Sequence, residues 1–284
     1  VEGRMNLYLA GVAPWREEGI YNPIIEREAG VKLHIAGLQG KAKTFVLEPD
    51  SNNIPKRRGV HILESFYYAD AFTEKMIPYY GEFLLDSGAF TLFSDTKRGQ
   101  GIVWEEYVDR YADFIVRNKV RQFFELDIDK IIGYDKVMVL RRRLEKKTGM
   151  QCIPVWHKFR GKDNFLRMCQ EYKYVSIGGI VSKEISREEY KYFPWFITQA
   201  HKAGAKIHGL GFTALTCLPK YHFDSVDSTA WTTGNRFGAV YYFDGRTMRK
   251  LNKGEGQRLK DSRAVAINNF NEWVKFQKYA EVKL

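Results

Sequence analysis

Cysteine is scarce in this chain, and its three copies stand far apart. Cys152, Cys169 and Cys217 form no Cys-x-x-Cys pair anywhere in the 284 residues. Such spacing supports neither a disulfide framework nor a cysteine-rich zinc site. The chain is therefore expected in a reducing compartment, and we predict a cytoplasmic protein.

Long apolar runs and nucleotide-binding glycine motifs are also missing. No stretch of eighteen apolar residues occurs, and no charged-then-apolar leader is present, so neither a membrane span nor a secretory signal is expected. A Rossmann fold would place Gly-x-Gly-x-x-Gly after an early strand, and this chain has none. Residues 1–4, ahead of Met5, are interpreted as the remnant of a cleavable tag, which leaves one predicted domain over residues 5–284.

Acidic residues are outnumbered by basic ones. The chain has 34 Asp and Glu against 45 Lys and Arg, a formal net charge of +11. An excess of this size favours a polyanionic partner such as a nucleic acid over a merely basic surface. Phosphate contacts from basic side chains give affinity without reading the base sequence. The residues predicted to make them lie on a helix at 136–148 and on a hairpin near 238–251: Arg141, Arg142, Arg143, Arg246, Arg249 and Lys250.

Short apolar runs alternate with helical segments along most of the chain. Strict alternation of strand and helix predicts an α/β fold with a parallel sheet. Eight such units in a chain of this length favour a (β/α)8 TIM-like barrel, followed by a C-terminal β-hairpin at Asp244-Gly245 and a helix from Ser262 to Val282. The predicted strands are Met5–Ala10, Val60–Glu64, Phe83–Asp86, Gln122–Asp127, Cys152–Trp156, Tyr174–Ile177, Lys206–His208 and Tyr221–Val226.

Polar residues and glycines gather where these predicted strands end. In a barrel the carboxyl ends of the strands meet at one pocket, which could receive a planar, hydrogen-bonding ligand. A single aspartate such as Asp86 could equally cap the next helix. The residues at the strand ends are Asp86, Asp127, Asp129, His157, Gly178, Gly179, His208, Gly211, Asp224 and Asp227.

Two hydrolase chemistries also use carboxylates at strand ends. Zinc hydrolases with a barrel fold carry His-x-His after the first strand, where this chain has Tyr8-Leu-Ala10, so no metal and no cofactor are predicted. Glycosidases use a pair of carboxylates. The positive net charge favours a glycosidic bond of nucleic acid over one of a neutral sugar polymer.

The motifs at these strand ends resemble those of the tRNA-guanine transglycosylases and their relatives, which place 7-deazaguanines in nucleic acid. Asp86-Ser-Gly-Ala-Phe-Thr91 is similar to the family's Asp-Ser-Gly-Gly-Phe-Gln, and Ile62-Leu-Glu-Ser-Phe-Tyr67 to its Ile-Leu-Gly-Asn-Thr-Tyr. Gly178-Gly179 resembles its Gly-Gly turn, and His208-Gly-Leu-Gly211 its Met-Gly-Val-Gly. Phe223-Asp-Ser-Val-Asp-Ser228 keeps its Asp-x-x-Asp spacing. These pieces occur in the family's order from about residue 60 to about residue 250.

The resemblance implies base exchange through a covalent enzyme–ribose intermediate. It makes Asp227 the nucleophile, with Asp224 as the alternative because a gap of one residue would move the alignment. It also implies that Asp86 is the general acid/base for the leaving and entering bases. Asp127 would accept from N1–H and the exocyclic amine of the base, and Asp129 competes for that role.

Further residues are assigned to the base pocket by the same resemblance. Phe90 is placed to stack on the base, although a plain core position is an equal alternative. Trp156 or His157 stands where the family has a base-reading glutamine, which leaves the identity of the incoming base open. The set is Ser65, Ser87, Gly88, Phe90, Trp156, His157, Gly178 and Gly179.

Two features of the family are absent from this sequence. No cysteine follows Cys217, so the C-terminal zinc site is missing, and so is the RNA-binding accessory domain. A compact, zinc-free member resembles the branch that modifies DNA, including forms encoded by bacteriophages, which would act in the host cytoplasm. The expected substrates are guanine in DNA and a 7-deazaguanine such as 7-cyano-7-deazaguanine. tRNA is the alternative polymer, and a non-catalytic nucleic-acid-binding relative is the third interpretation.

Overall fold

Eight parallel strands form one sheet that closes on itself. The computed structural model describes residues 30–52, 54–94, 101–212, 214, 217–233, 237–252 and 261–284. The strands are β1 (Lys32–Ala36), β2 (Ile62–Ser65), β3 (Phe83–Asp86), β4 (Gln122–Phe123), β5 (Val155–Trp156), β6 (Tyr174–Ile177), β7 (Lys206–Gly209) and β8 (Ser225–Ser228), in the order β4-β3-β2-β1-β8-β7-β6-β5.

The two edge strands, β4 and β5, are joined by main-chain hydrogen bonds just beyond their ends. The Ile153 N–H donates to the Phe123 carbonyl over 2.8 Å, and the Glu125 N–H donates to the Ile153 carbonyl over 3.1 Å. Phe124 and Ile153 thereby form a parallel bridge. These bonds close the sheet, and the predicted (β/α)8 barrel is confirmed.

Helices cover the outside of the barrel. The longer ones are amphipathic: on Trp104–Arg117 the buried residues recur at helical spacing and pack on the strands, while the charged residues face outward. The helices are α1 (Gly40–Leu47), α2 (Ala71–Met76), α3 (Ala89–Ser94), α4 (Trp104–Arg117), α5 (Asp129–Ile132), α6 (Tyr134–Thr148), α7 (Gly161–Glu171), α8 (Phe193–Lys202) and α9 (Ser262–Lys283).

The first strand of the described barrel is β1, within a stretch where the sequence pattern predicts irregular structure. The strand predicted at Met5–Ala10 lies outside the described residues. In β1, Leu33 and Ile35 pack against the outer helices, whereas His34 is buried inside the barrel, with β2 and β8 on either side of its strand. A polar residue on the inner face, with glycines on both sides of the strand, removes the apolar signal by which a barrel strand is recognised.

The inside of the barrel is apolar on one side and polar on the other. Ala36, Leu63, Leu84, Phe124, Ile153 and Val155 form its apolar cluster. Its polar side includes His34, Ser176, His208, Ser225 and Asp227, which are buried on β1, β6, β7 and β8. Buried polar groups require hydrogen-bond partners, so a network of hydrogen bonds is expected on this side of the interior.

The predicted C-terminal hairpin and helix are both present. Strand β9 (Ala239–Phe243) pairs antiparallel with β10 (Met248–Asn252) across the Asp244-Gly245 turn. Helix α9 lies against the barrel, where the Gln277 side-chain amide donates to the carbonyls of Leu33 (2.6 Å) and His61 (2.8 Å). Among the described residues, no helix is both long and apolar enough to cross a membrane.

Candidate active site

A cavity of about 330 Å³ opens at the carboxyl ends of β1, β2, β3 and β8. Both Asp86 and Asp227 line it, together with Ser65 and the apolar side chains of Leu63 and Leu210. Its volume lies near the lower end of the roughly 300–1,000 Å³ typical of small-molecule sites. The cavity therefore combines three carboxylates, those of Glu64, Asp86 and Asp227, with apolar walls.

Asp86 is held in its cavity by the turn that follows β3. The Gly88 N–H donates to its Oδ2 over 2.9 Å. Burial raises the pKa of Asp86 to about 6, and the nearby charges of Asp127 and Asp227 add to this effect, while the Gly88 hydrogen bond opposes it. A carboxyl group with this pKa can both give and take a proton near neutral pH.

Asp227 lies on β8 and is held by two donors on β7 and the loop after it. The Gly211 N–H donates to its Oδ1 over 2.5 Å, and His208 Nε2 lies 3.2 Å from the same oxygen. Only 6% of Asp227 is exposed. Asp86 and Asp227 thus share one cavity, where a backbone N–H holds Asp86 and a backbone N–H together with a histidine holds Asp227.

A second polar group surrounds His157, after β5. Its Nε2 contacts Asp127 Oδ1, and its Nδ1 lies 3.3 Å from Glu184 Oε2. Burial lowers the pKa of His157, but the hydrogen bond and charge of Asp127, with Glu184 behind, outweigh it, and the net result is a raised pKa. Gly178 permits this arrangement, because a Cβ at that position would lie 3.0 Å from His157 Cε1.

Asp127, Asp129 and His157 bring potential metal ligands within 4.8 Å of one another. Their present partners are protein cations and donors. Arg160 contacts Asp129 Oδ2, while His157 contacts Asp127. A guanidinium against one of the three ligands supplies the positive charge that a metal ion would otherwise supply. The arrangement is that of a hydrogen-bonded ion network, and we assign no metal role to it.

Several residues that the sequence grouped with the cavity do not line it: Asp127, Asp129, His157, Gly178 and Gly179 are not among its lining residues, and Asp224 and Trp156 point elsewhere. Asp224 precedes β8, at the opposite end of the barrel, where its Oδ2 accepts from the Ile207 N–H and lies 2.8 Å from His201 Nε2. The prediction that Asp224 lies at the carboxyl end of the eighth strand is wrong, because β8 starts one residue later. The Trp156 indole points outward, donates to the Gly161 carbonyl and packs on Phe196.

The remaining predicted base-pocket residues are placed as follows. Ser65 pairs with Asp86 across β2 and β3 and lines the cavity. Ser87 is buried in the turn after β3, and its carbonyl accepts from the Tyr107 hydroxyl over 2.5 Å. Gly179 follows Gly178 at the end of β6. The side chain of Phe90, in α3, lies outside the described part of the chain.

Most of the predicted nucleic-acid contacts are exposed, but Arg141 is not. It is 2% exposed, and its Nε donates to Glu125 Oε2 over 2.5 Å. Arg141 lies on the face of α6 that packs on the barrel, so its prediction as a phosphate contact is wrong. Arg142, Arg246 and Lys250 are exposed, while the exposed Arg143 and Arg249 are paired with Asp109 and Asp244.

We expect Arg141→Met to destabilise the fold and Arg142→Met to leave it unchanged. The first substitution leaves Glu125 buried at 0% exposure with one cation fewer, which costs about 3 kcal/mol. The second removes an exposed charge and changes stability by less than about 0.5 kcal/mol. Urea unfolding followed by circular dichroism measures both. Equal losses in the two variants would contradict the buried placement of Arg141.

Three residues of the cavity region have no role assigned to them from the sequence. His208 and Gly211 stand at a predicted strand end, in the Gly-Leu-Gly stretch after β7, but only the structure shows that both contact Asp227. Glu64 lines the cavity, and burial raises its pKa to about 7. It contacts the buried Lys43 from α1, and no sequence signal marks a partner 21 residues away.

Comparison with known proteins supports the fold. No family model matches the chain, and no curated protein is similar in sequence. A solved structure of a Coccidioides immitis protein assigned as a fructose-1,6-biphosphate aldolase matches 88% of this chain and 89% of its own at 10% identity and a TM-score of 0.50. A second structure, the aldolase QR15, matches 73% of this chain and 92% of its own at 14% identity, with a TM-score of 0.45. At 10% identity the first likeness shows the barrel fold alone.

Proposed function

We propose that this protein is a glycosyltransferase that exchanges guanine in nucleic acid for a 7-deazaguanine such as 7-cyano-7-deazaguanine. The proposed polymer is DNA, with tRNA as the alternative. One observation carries the proposal. The two aspartates that the family resemblance assigns as nucleophile and general acid/base, Asp227 and Asp86, line one cavity at the carboxyl ends of the strands. The raised pKa of Asp86 suits a general acid/base, and the two donors that hold Asp227 suit a positioned nucleophile.

The proposed reaction proceeds in two displacements. An oxygen of Asp227 bonds to C1′ of the deoxyribose (ribose in tRNA) as the C1′–N9 bond breaks, and the bonding electrons leave with guanine, which takes a proton from Asp86. The incoming 7-deazaguanine then gives its ring N–H proton to Asp86 and bonds to C1′, which releases Asp227. Each step is balanced in protons, and no oxidant or metal takes part.

The His157 group is the proposed reader of the base edge. Asp127 carries the acceptor oxygens, and His157 and Glu184 fix its position. A carboxylate can accept from N1–H and the exocyclic amine of a guanine together. In this proposal His157 takes the place of the family's glutamine as a positioning group for Asp127.

DNA is proposed before tRNA because no cysteine follows Cys217 in these 284 residues, whereas the resemblance implies closely spaced cysteines in the zinc site of the tRNA-modifying relatives. The positive net charge of +11 suits either polymer. Duplex DNA, single-stranded DNA and tRNA carrying radiolabelled guanine should each be incubated with the protein and a 7-deazaguanine. Release of label from DNA supports the proposal, and release from tRNA alone would transfer it to the alternative polymer. Retention of label in all three, with polymer binding intact, would favour the non-catalytic relative.

We expect Gly211→Ala to lower exchange at least about tenfold. Gly211 has φ +71°, which strains any residue with a Cβ, and that Cβ would lie 2.2 Å from Cγ2 of the exposed Val181. Either Val181 or the loop that carries the Gly211 N–H must therefore move, and a shift of the loop displaces the N–H that holds Asp227. Displacements of about 1 Å from reacting geometry cost up to about 10²-fold in rate. Steady-state exchange assays measure the loss.

Gly204→Ala is the matched control for this substitution. Gly204 has φ +73° and lies in the loop before β7, and no atom lies within 4 Å of the position that an alanine methyl group would take. It carries the same backbone strain of about 1 kcal/mol without a clash, so we expect it to cost stability but leave exchange unchanged. Equal exchange rates in the two variants would contradict the role of the Gly211 N–H.

A further inference from the structure

A line of hydrogen-bonded side chains runs along the inside of the barrel and ends at Asp227. The Tyr174 hydroxyl on β6 contacts Ser225 Oγ on β8. Ser225 Oγ lies 2.5 Å from His208 Nδ1 on β7, and His208 Nε2 lies 3.2 Å from Asp227 Oδ1. Ser225 and His208 are 2% and 0% exposed, so water does not compete for these bonds.

The order of donors along this line follows from its two ends. Asp227 is a carboxylate in the proposed reaction and can only accept, so His208 Nε2 must carry its hydrogen. Nδ1 of a neutral imidazole then accepts from the Ser225 hydroxyl, and Ser225 Oγ accepts from Tyr174. Burial raises the pKa of Tyr174, which keeps that phenol a donor. Every hydroxyl and ring nitrogen in the line is satisfied by this single arrangement.

The groups around His208 leave this arrangement undisturbed. The rings of Phe124, His34 and Tyr174 lie 5.3, 6.1 and 6.5 Å from the His208 ring. Burial lowers the pKa of His34 to about 4, so its ring is neutral. Glu82 lies 3.6 Å from His34 Nε2 and is paired with Lys32. Asp227 is thus the one carboxylate that His208 contacts within the described residues.

The same contacts distinguish the two oxygens of Asp227. Oδ1 receives both the Gly211 N–H and His208, whereas no donor contacts Oδ2 among the residues that the structure describes. An oxygen that accepts two hydrogen bonds is a poorer nucleophile than one that accepts none, because attack must weaken those bonds.

We propose that His208 is a positioning residue for this nucleophile: Tyr174 and Ser225 hold it as the Nε2–H tautomer, and it fixes Oδ1 so that Oδ2 attacks the ribose. The inference rests on the proposed base exchange. It predicts that exchange requires a hydrogen-bond donor at the position of Nε2, and that an aromatic ring of similar size without a donor does not restore it.

Two substitutions of His208 distinguish the effect of its hydrogen-bond donor from the effect of its packing. His208→Phe keeps the ring and removes the donor, and we expect the kcat of exchange to fall about 10²-fold with KM within twofold. His208→Gln places an amide N–H near the position of Nε2 and should retain kcat within about tenfold. His201→Phe removes a histidine that lies 2.8 Å from Asp224 at the other end of the barrel, and it should leave kcat unchanged. Wild-type kcat in His208→Phe, or equal losses in His208→Phe and His208→Gln, would overturn the proposal.

The tautomer is measured without any assay of activity. In protein labelled with ¹⁵N-histidine, the His208 signals should show a protonated Nε2 and an unprotonated Nδ1, and Ser225→Ala should disturb this pattern. A proton on Nδ1 in the wild type would overturn the proposed arrangement whether or not the protein exchanges bases. A wild-type protein with the expected tautomer but no exchange would remove the proposed function, and attack by Oδ2 with it, while the hydrogen-bonded line would stand.

Discussion

Asp227→Asn is expected to abolish base exchange while the fold remains intact. The amide oxygen can still accept from the Gly211 N–H, so the loop after β7 keeps its contact. The amide is not a nucleophile, however, and loss of a covalent catalyst typically costs about 10⁴-fold or more. Exchange of labelled guanine measures the rate, and thermal unfolding measures the fold.

The covalent intermediate provides a second measurement for the same variant. When the incoming base is withheld, the wild-type protein should accumulate an enzyme–oligonucleotide adduct, which a denaturing gel resolves as a slower band. Asp227→Asn should form none.

Asp224→Asn is the matched control for Asp227→Asn. It changes the same kind of side chain just before the same strand, at the other end of the barrel, next to His201. We expect it to retain both exchange and adduct. If Asp224→Asn lost the adduct and Asp227→Asn kept it, the nucleophile would be Asp224 and the active site would lie at the opposite end of the barrel.

The fold is predictable from sequence where a strand is a short and mostly apolar run. Phe83–Asp86 and Tyr174–Ile177 are predicted with the bounds that the structure shows. β1 is not predicted, because its inner face carries the polar residue His34, which interrupts the apolar pattern by which a barrel strand is recognised. Burial of a histidine among other histidines depends on β1 lying beside β8, a contact between residues nearly two hundred positions apart.

The candidate site is predictable in its strand ends but not in the direction of its side chains. The sequence pattern places Asp86 and Asp227 at strand ends, and the structure puts both on one cavity. Trp156 and His157 are neighbours in sequence, yet only Trp156 faces the outer helices, because successive residues of a strand point to opposite sides. Arg141 and Arg142 differ in the same way around a helix, since only one of them faces the barrel.

Asp86→Asn is expected to stabilise the protein at pH 8 and not at pH 4. The folded-state pKa of Asp86 is about 6, above its ordinary value of 3.8. The folded protein therefore binds the proton more tightly than the unfolded chain, so stability falls as pH rises from about 4 to about 6. A shift of this size corresponds to about 3 kcal/mol. Asparagine is uncharged throughout, so the variant should gain this amount at pH 8 and nothing below pH 4.

Urea unfolding of wild type and variant at both pH values measures the difference. Asp244→Asn is a control of opposite sign, because the Thr247 N–H, Arg249 and the Arg246 N–H lower the pKa of Asp244 to about 2. It should lose stability at neutral pH, and the loss should fade toward pH 2. A gain for Asp86→Asn that is the same at pH 4 and pH 8 would show that packing, not charge, is responsible.

The same ionisation of Asp86 that lowers stability also removes the proton that the proposed reaction uses. Guanine leaves with a proton from the acid form of Asp86, which is populated up to about pH 6. Release of guanine by the wild type should therefore decline as pH rises above about 6, and Asp86→Asn should lose about 10²- to 10⁴-fold in rate together with this pH dependence. Single-turnover release of labelled guanine between pH 5 and pH 9 measures both. If the variant is more stable at pH 8 but keeps the wild-type rate, the buried charge of Asp86 affects stability only, and Asp86 is not the general acid.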